Sequence, residues 1–224
     1  MRATSRICIL SLVCLACLAC LACLAVDAGA RLRFGATAGL NRTSLEGDAP
    51  DDAKYKSAFG FEAGVLGEID LTDDVILSLQ PMYARRGTDI AFKVGEDEPR
   101  DSLEVRMDYI DCLAIIKVKS DGGRIYLSSG LGAGFLTKAT LNDIRGGESN
   151  IKSAFKNYDV SVLFGVGYAI PARNTILNIE LRYQQSLLSV ADPGELASES
   201  GLAPRTRFSG FQIFATVLFP RNHD

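Results

Sequence analysis

The chain has no tryptophan, one histidine and, past residue 30, one cysteine. The histidine, His223, is the penultimate residue. A lone imidazole at the end of a chain leaves no general base for a nucleophile, so the sequence predicts no enzyme and no catalytic residues. It also excludes a histidine-based zinc or copper centre, and no cofactor or metal is expected. Cys112 cannot form a disulfide within the chain beyond residue 30. The net charge of −3 lacks the basic footprint of nucleic-acid binders. No long continuous apolar run follows residue 30, which excludes a spanning helix there. A 47% hydrophobic and 23% charged composition nevertheless excludes a disordered chain.

Residues 1–30 have the pattern of a cleaved secretory signal peptide. Arg2 and Arg6 supply the positive start, residues 7–26 are almost wholly apolar, and Ala28-Gly29-Ala30 offers the small-x-small cleavage site. Cys8, Cys14, Cys17, Cys20 and Cys23 all lie in this segment. Leu-Ala precedes Cys17, Cys20 and Cys23, an imperfect lipoprotein box that leaves lipidation as an alternative. A retained transmembrane helix is the other alternative.

From residue 31 the dominant period is two, the mark of strands with two unlike faces. Leu32, Phe34, Ala36, Ala38 and Leu40 alternate with Arg33, Gly35, Thr37, Gly39 and Asn41. Seven further segments repeat the pattern, ending with Phe211, Ile213, Ala215, Val217 and Phe219. In the fourth, the apolar parity passes from Leu103, Val105 and Met107 to Ile110, Cys112, Ala114 and Ile116. Such a one-residue slip predicts a β-bulge. Pro81 lacks an N–H for the ladder and predicts a second irregularity.

Tight-turn chemistry at Thr72-Asp73-Asp74, at residues 120–123 and at residues 171–174 alternates with long polar links at 42–57, 87–102, 138–157 and 190–205. Short turns on one rim and long loops on the other describe an outer-membrane barrel. The predicted fold is all-β: an eight-stranded antiparallel up-and-down transmembrane β-barrel over residues 31–219, with a short tail at 220–224. The apolar parity, Cys112 included, faces lipid, and the polar parity with its many glycines faces the lumen. A soluble lipocalin-like barrel with the faces reversed is the alternative.

Several segments resemble the PorT-type outer-membrane β-barrel family, known mainly from Bacteroidetes. They are residues 33–41 with their Gly-x-x-x-Gly; Leu79-Gln80-Pro81 followed by Tyr83 and Arg85-Arg86-Gly87; Tyr109 to Lys117; Asp159 to Gly167; and Asn178 to Ser186. Leu113 stands where the family commonly has proline. The resemblance implies an eight-stranded outer-membrane barrel and assigns no activity. The alternation toward Phe211 and Phe219 resembles the signal read by the barrel assembly machinery.

The polar parity carries charges of both signs: Glu62, Glu68, Arg86, Glu104, Arg106, Asp108, Asp111, Lys117, Glu180 and Arg182. They are expected to interlock as a lumen plug, with a ligand site or narrow conducting path as alternatives. Gly130-Leu131-Gly132-Ala133-Gly134 lacks the spacing of a dinucleotide fingerprint. Acidic residues 48, 51, 52, 96–98 and 101 match no EF-hand and read as solvated loop. The expected function is a small structural or interaction barrel of the bacterial outer membrane. Its expected partners are outer-membrane lipid, the assembly machinery and envelope proteins. The alternatives are a component of a transport or secretion apparatus, or a soluble periplasmic ligand-binding barrel.

Heat-modifiability separates the membrane reading from the soluble one. Isolated outer membranes run on cold SDS gels should give a band that shifts on boiling and resists a salt wash. Release into the periplasm without a shift would reverse the two faces.

Overall fold

The computed structural model describes residues 31–47, 53–92, 102–143, 147–190 and 206–220. The proposed signal peptide and the acidic loop positions lie outside them.

The strands are β1 (Leu32–Glu46), β2 (Ala53–Asp70), β3 (Val75–Phe92), β4 (Ser102–Lys119), β5 (Ile125–Asp143), β6 (Glu148–Asn150), β7 (Tyr158–Ala172), β8 (Thr175–Ser186) and β9 (Arg207–Pro220). All pairings are antiparallel. β1 pairs with β2 on one side and β9 on the other, and β4 pairs with β5, so eight strands close into an up-and-down barrel. The three-residue β6 extends β5 at one end. Among the described residues no helix is long and apolar enough to cross a membrane. Closure gives every wall strand two neighbours, which is what a sheet surrounded by hydrocarbon requires.

Three short turns, the start of β1 and the end of β9 share one rim. Thr72 Oγ1 accepts the backbone N–H groups of Asp74 and Val75. The Ser120 carbonyl accepts the Gly123 N–H at 2.7 Å, and Gly123 takes φ 67°, a conformation that favours glycine. Ala172 pairs directly with Thr175.

The outward face supports a lipid environment. Leu40, Phe59, Leu127, Leu131, Phe164 and Phe211 are each more than half exposed. Such a belt of large apolar groups around a closed sheet has a place in lipid and none in water. Aromatic residues gather toward both margins of the belt. Phe61 lies 5.5 Å from Tyr83, and Tyr183 lies 5.1 Å from Phe211, on the long-loop side. Phe34 pairs with Phe219 on the short-turn side.

The strands are longer than crossing requires. An 18-residue strand such as β4 is roughly 60 Å long at about 3.3 Å per residue. Tilted by about 40°, it rises roughly 45 Å, against an apolar band of about 25 Å. The surplus continues beyond the belt as wall, through much of what the sequence marked as loops.

This surplus corrects the reading of the fourth segment. β4 keeps one inward parity throughout: Val105, Met107, Tyr109, Asp111, Leu113, Ile115 and Lys117 are all buried. What changes is the surroundings. Past the belt the barrel resembles a soluble one, apolar inside and polar outside. Leu45, Ile90, Val105, Met107, Leu136 and Phe208 pack there with Phe155 and Val190 from the connections. A bulge does occur at this level, but β5 supplies the extra residue: Asp108 pairs with Lys138 and Tyr109 with Leu136, so Thr137 is left over.

At Pro81 the pairing to Cys112 of β4 is regular, while on the β2 side Val65 and Leu66 drop out of the ladder without a change of register. A second bulge lies in β2, where residues 58–61 face only residues 85–87 of β3. Side chains of β1 bridge behind it. Thr43 Oγ1 accepts the Gly87 N–H at 3.0 Å and donates to the Gly87 carbonyl at 2.9 Å. Asn41 Nδ2 donates to the Arg85 carbonyl at 2.9 Å.

Thr43→Val preserves shape but leaves the buried Gly87 backbone without these partners. The expected cost is about 1–3 kcal/mol, read as a lower urea midpoint for the barrel folded in lipid vesicles.

Candidate functional site in the barrel lumen

Eight tilted strands enclose a bore that side chains can fill. Inward positions alternate with outward ones, so each strand contributes a short column. Along β4, from the short-turn rim, the column reads Lys117, then Ile115 and Leu113, then Asp111, then Tyr109, Met107 and Val105. Charge, apolar ring, charge and apolar lid follow one another.

The lower charged layer centres on Glu180. Its carboxylate receives Arg182 Nε at 2.7 Å and Nη2 at 3.0 Å, Tyr126 Oη at 2.9 Å and Ser128 Oγ at 2.7 Å. Lys117 Nζ donates to Glu68 at 2.7 Å and stands 3.8 Å from Glu180. Arg182 Nη1 donates to Gln80 at 3.0 Å, and its guanidinium lies 4.5 Å from the Phe214 ring centre. Arg33, 3.6 Å from Glu68 and paired with Asp70, joins this layer to the rim. Lys117, Glu68, Glu180 and Arg182 are at most 2% exposed as side chains, so the pairs are shielded from water.

The apolar ring of Met82, Leu113, Ile115, Leu163 and Phe214 lies above. Glycines on the adjacent strands make room for it. A Cβ at Gly39 would collide with the Phe214 ring, and one at Gly64 with Met82.

The upper charged layer centres on Arg86, which donates to Asp159 at 3.1 Å and pairs with Asp111. Ser186 Oγ donates to Asp159 at 2.7 Å. Glu62 accepts Asn41 Nδ2 at 2.7 Å and Gln212 Nε2 at 2.8 Å. Gln212 also donates to Gln184, which donates to Ser161. A void bounded by Thr43, Arg86, Gln184, Ser186, Phe208 and Gln212 measures about 10 Å³, near the minimum for a single water.

Seven of the ten expected lumen charges therefore lie inside: Glu62, Glu68, Arg86, Asp111, Lys117, Glu180 and Arg182. Glu104, Arg106 and Asp108 do not. They occupy outward positions of β4 above the apolar belt, where Arg106 pairs with Glu104 and Asp108 takes two hydrogen bonds from Arg85. The alternation misassigned them because the polar face changes sides where the strand leaves the belt. Asp159, which opens the segment Asp159 to Gly167, is a further buried charge outside that set and shares the inward parity of Ser161. Phe211 and Phe219 both face outward, 61% and 56% exposed. Cys112 sits half-buried on the outward parity of β4.

Removing Glu180 should be expensive. Glu180→Leu leaves Arg182 and Lys117 short of their shared partner, with an expected cost of about 3–5 kcal/mol. Glu180→Leu combined with Arg182→Leu should recover part of it, since no unpaired guanidinium remains. Urea unfolding of both variants in vesicles measures the difference.

Residues 25–192 match the model of a family described as outer membrane protein beta-barrel domain. No curated protein matches the chain. Among solved structures, Neisserial surface protein A is 16% identical over 84% of this chain and 97% of its own, with a TM-score of 0.47. The attachment invasion locus protein of Yersinia pestis is 14% identical over 84% and 99%, with a TM-score of 0.43. The outer membrane protein OprG of Pseudomonas aeruginosa is 10% identical over 87% and 97%, with a TM-score of 0.40.

Proposed function

Because this chain belongs to the outer membrane protein beta-barrel domain family, we propose that it is a non-conducting, non-enzymatic outer-membrane barrel that works as a structural or interaction protein. The observation that carries this reading is the filled lumen. Two layers of buried, paired charge alternate with two apolar layers, and Phe155 and Val190 close the long-loop end. An ion would have to replace pairs such as Glu180–Arg182 to pass. Breaking a buried pair without replacing it costs several kcal/mol. With the bore filled, the surfaces left for recognition are the outer wall and the long connections.

Within this reading the chain is a PorT-type member, exported by its first 30 residues and cleaved after Ala30. Its last strand, through Phe211 and Phe219, presents the assembly signal. Its partners are outer-membrane lipid, the barrel assembly machinery and envelope proteins. A role in a secretion apparatus is the form of this reading in which copurifying envelope proteins are its stable partners.

The purified barrel in planar bilayers should show no stepwise conductance. Steady, sizeable single-channel currents from the wild-type protein would overturn the plug and make the lumen a path.

A further inference from the structure

On the outside of the wall, the β2 bulge opens a cleft of about 540 Å³. Its lower edge is Leu40, Phe59 and Phe61, and its upper edge is Arg85, Arg106 and Lys138, with Asp108 between them. The lower edge belongs to the apolar belt: Leu40 is 62% exposed and Phe59 is 70%. The upper edge lies on the polar wall beyond it. The cleft therefore straddles the boundary where lipid headgroups sit.

The strand register aligns the cations. Arg42 of β1 pairs with Phe59 of β2, Arg85 of β3 with Asp108 of β4, and Asp108 with Lys138 of β5. Four cations thus lie on β1, β3, β4 and β5, Arg42, Arg85, Arg106 and Lys138, with Phe59 of β2 between the first two. The acids among them are Asp108 and Glu104, which leaves a positive surplus. The guanidinium groups are held in place. Arg42 Nε donates to Ser57 Oγ at 2.8 Å and lies over the Phe59 ring at 5.6 Å. Arg85 lies over the Phe61 ring at 5.4 Å. Arg106 Nη1 donates to the Phe59 carbonyl at 2.9 Å, a group within the stretch of β2 that the bulge removes from pairing with β3. Gly87 opposite Arg106 permits that crossing, since a Cβ there would press on the guanidinium. Arginine's planar fork matches phosphate oxygens, and preset forks lose little freedom on binding. The Arg85–Asp108 pair is partly exposed, so exchanging the carboxylate for a phosphate costs little.

We propose that this cleft binds a phosphate-bearing lipid of the outer leaflet, with acyl chains on Leu40, Phe59 and Phe61 and the phosphate against Arg85, Arg106 and Lys138. The proposal rests on the outer-membrane reading and is independent of whether the lumen conducts. A soluble anion could use the cations, but only an amphipathic ligand uses the apolar floor as well.

Native mass spectrometry of the full-length folded barrel in mixed micelles tests it, with phosphorylated lipid A, dephosphorylated lipid A and inorganic phosphate as probes. Each protein is first shown to shift on heating, so that failure of the barrel reading is seen separately. Wild type should retain phosphorylated lipid A at least about tenfold better than the dephosphorylated form. Arg106→Gln with Lys138→Gln should lose that preference. Lys138→Gln alone, at an exposed position, should weaken it with the gel shift intact. Arg207→Gln, on β9 outside the cleft, should leave it unchanged. Equal retention of the two lipids, or variants that retain the preference, would overturn the site. Inorganic phosphate that competes as well as the lipid would also overturn it, assigning the cations to a soluble anion.

Discussion

Backbone hydrogen bonding in hydrocarbon is the constraint on which the rest of this structure depends. An N–H or carbonyl facing lipid without a partner costs several kcal/mol, and a sheet meets that demand only by closing. The β4–β5 and β1–β9 pairings complete the circle. Where the ladder fails, the protein repairs it from neighbouring side chains. At the β2 bulge, Thr43 and Asn41 reach the Arg85 and Gly87 backbone from inside, while Arg106 reaches the Phe59 carbonyl from outside.

Closure with eight strands sets the next condition. The bore is too narrow for a water column and too wide to leave empty, so side chains must fill it. Polar side chains then have to be paired among themselves, because buried charge is tolerable only with partners. Glu180 receives four hydrogen bonds within the barrel. Glycines pair with bulky inward groups on adjacent strands for the same steric reason, Gly39 with Phe214 and Gly64 with Met82. The filling and the wall are thus one packing problem.

A single strand of this barrel passes through two solvents. Below Asp108 the outward side chains of β4 are Ile110, Cys112, Ala114, Ile116 and Val118. From Asp108 upward they are Asp108, Arg106 and Glu104. The hydrophobic effect acts on both halves with opposite results: lipid takes the apolar side chains outward, and water drives them inward. The boundary between the halves is where aromatic and cationic groups meet, and there the outer wall carries a cleft.

Much of this was written in the sequence. Period-two alternation, the even number of segments and the unequal links were enough for an eight-stranded membrane barrel, because side-chain direction along a strand is strictly local. The same locality placed Glu62, Glu68, Arg86, Asp111, Lys117, Glu180 and Arg182 on one parity. Tertiary structure decided the rest. Whether Glu104, Arg106 and Asp108 face the bore or the exterior depends on the height at which lipid ends, which no strand encodes by itself. Which acid meets which base depends on register across strands as far apart in sequence as those of Arg86 and Asp159. The bulges that open the outer cleft arise between two strands, so neither strand's own sequence could reveal them.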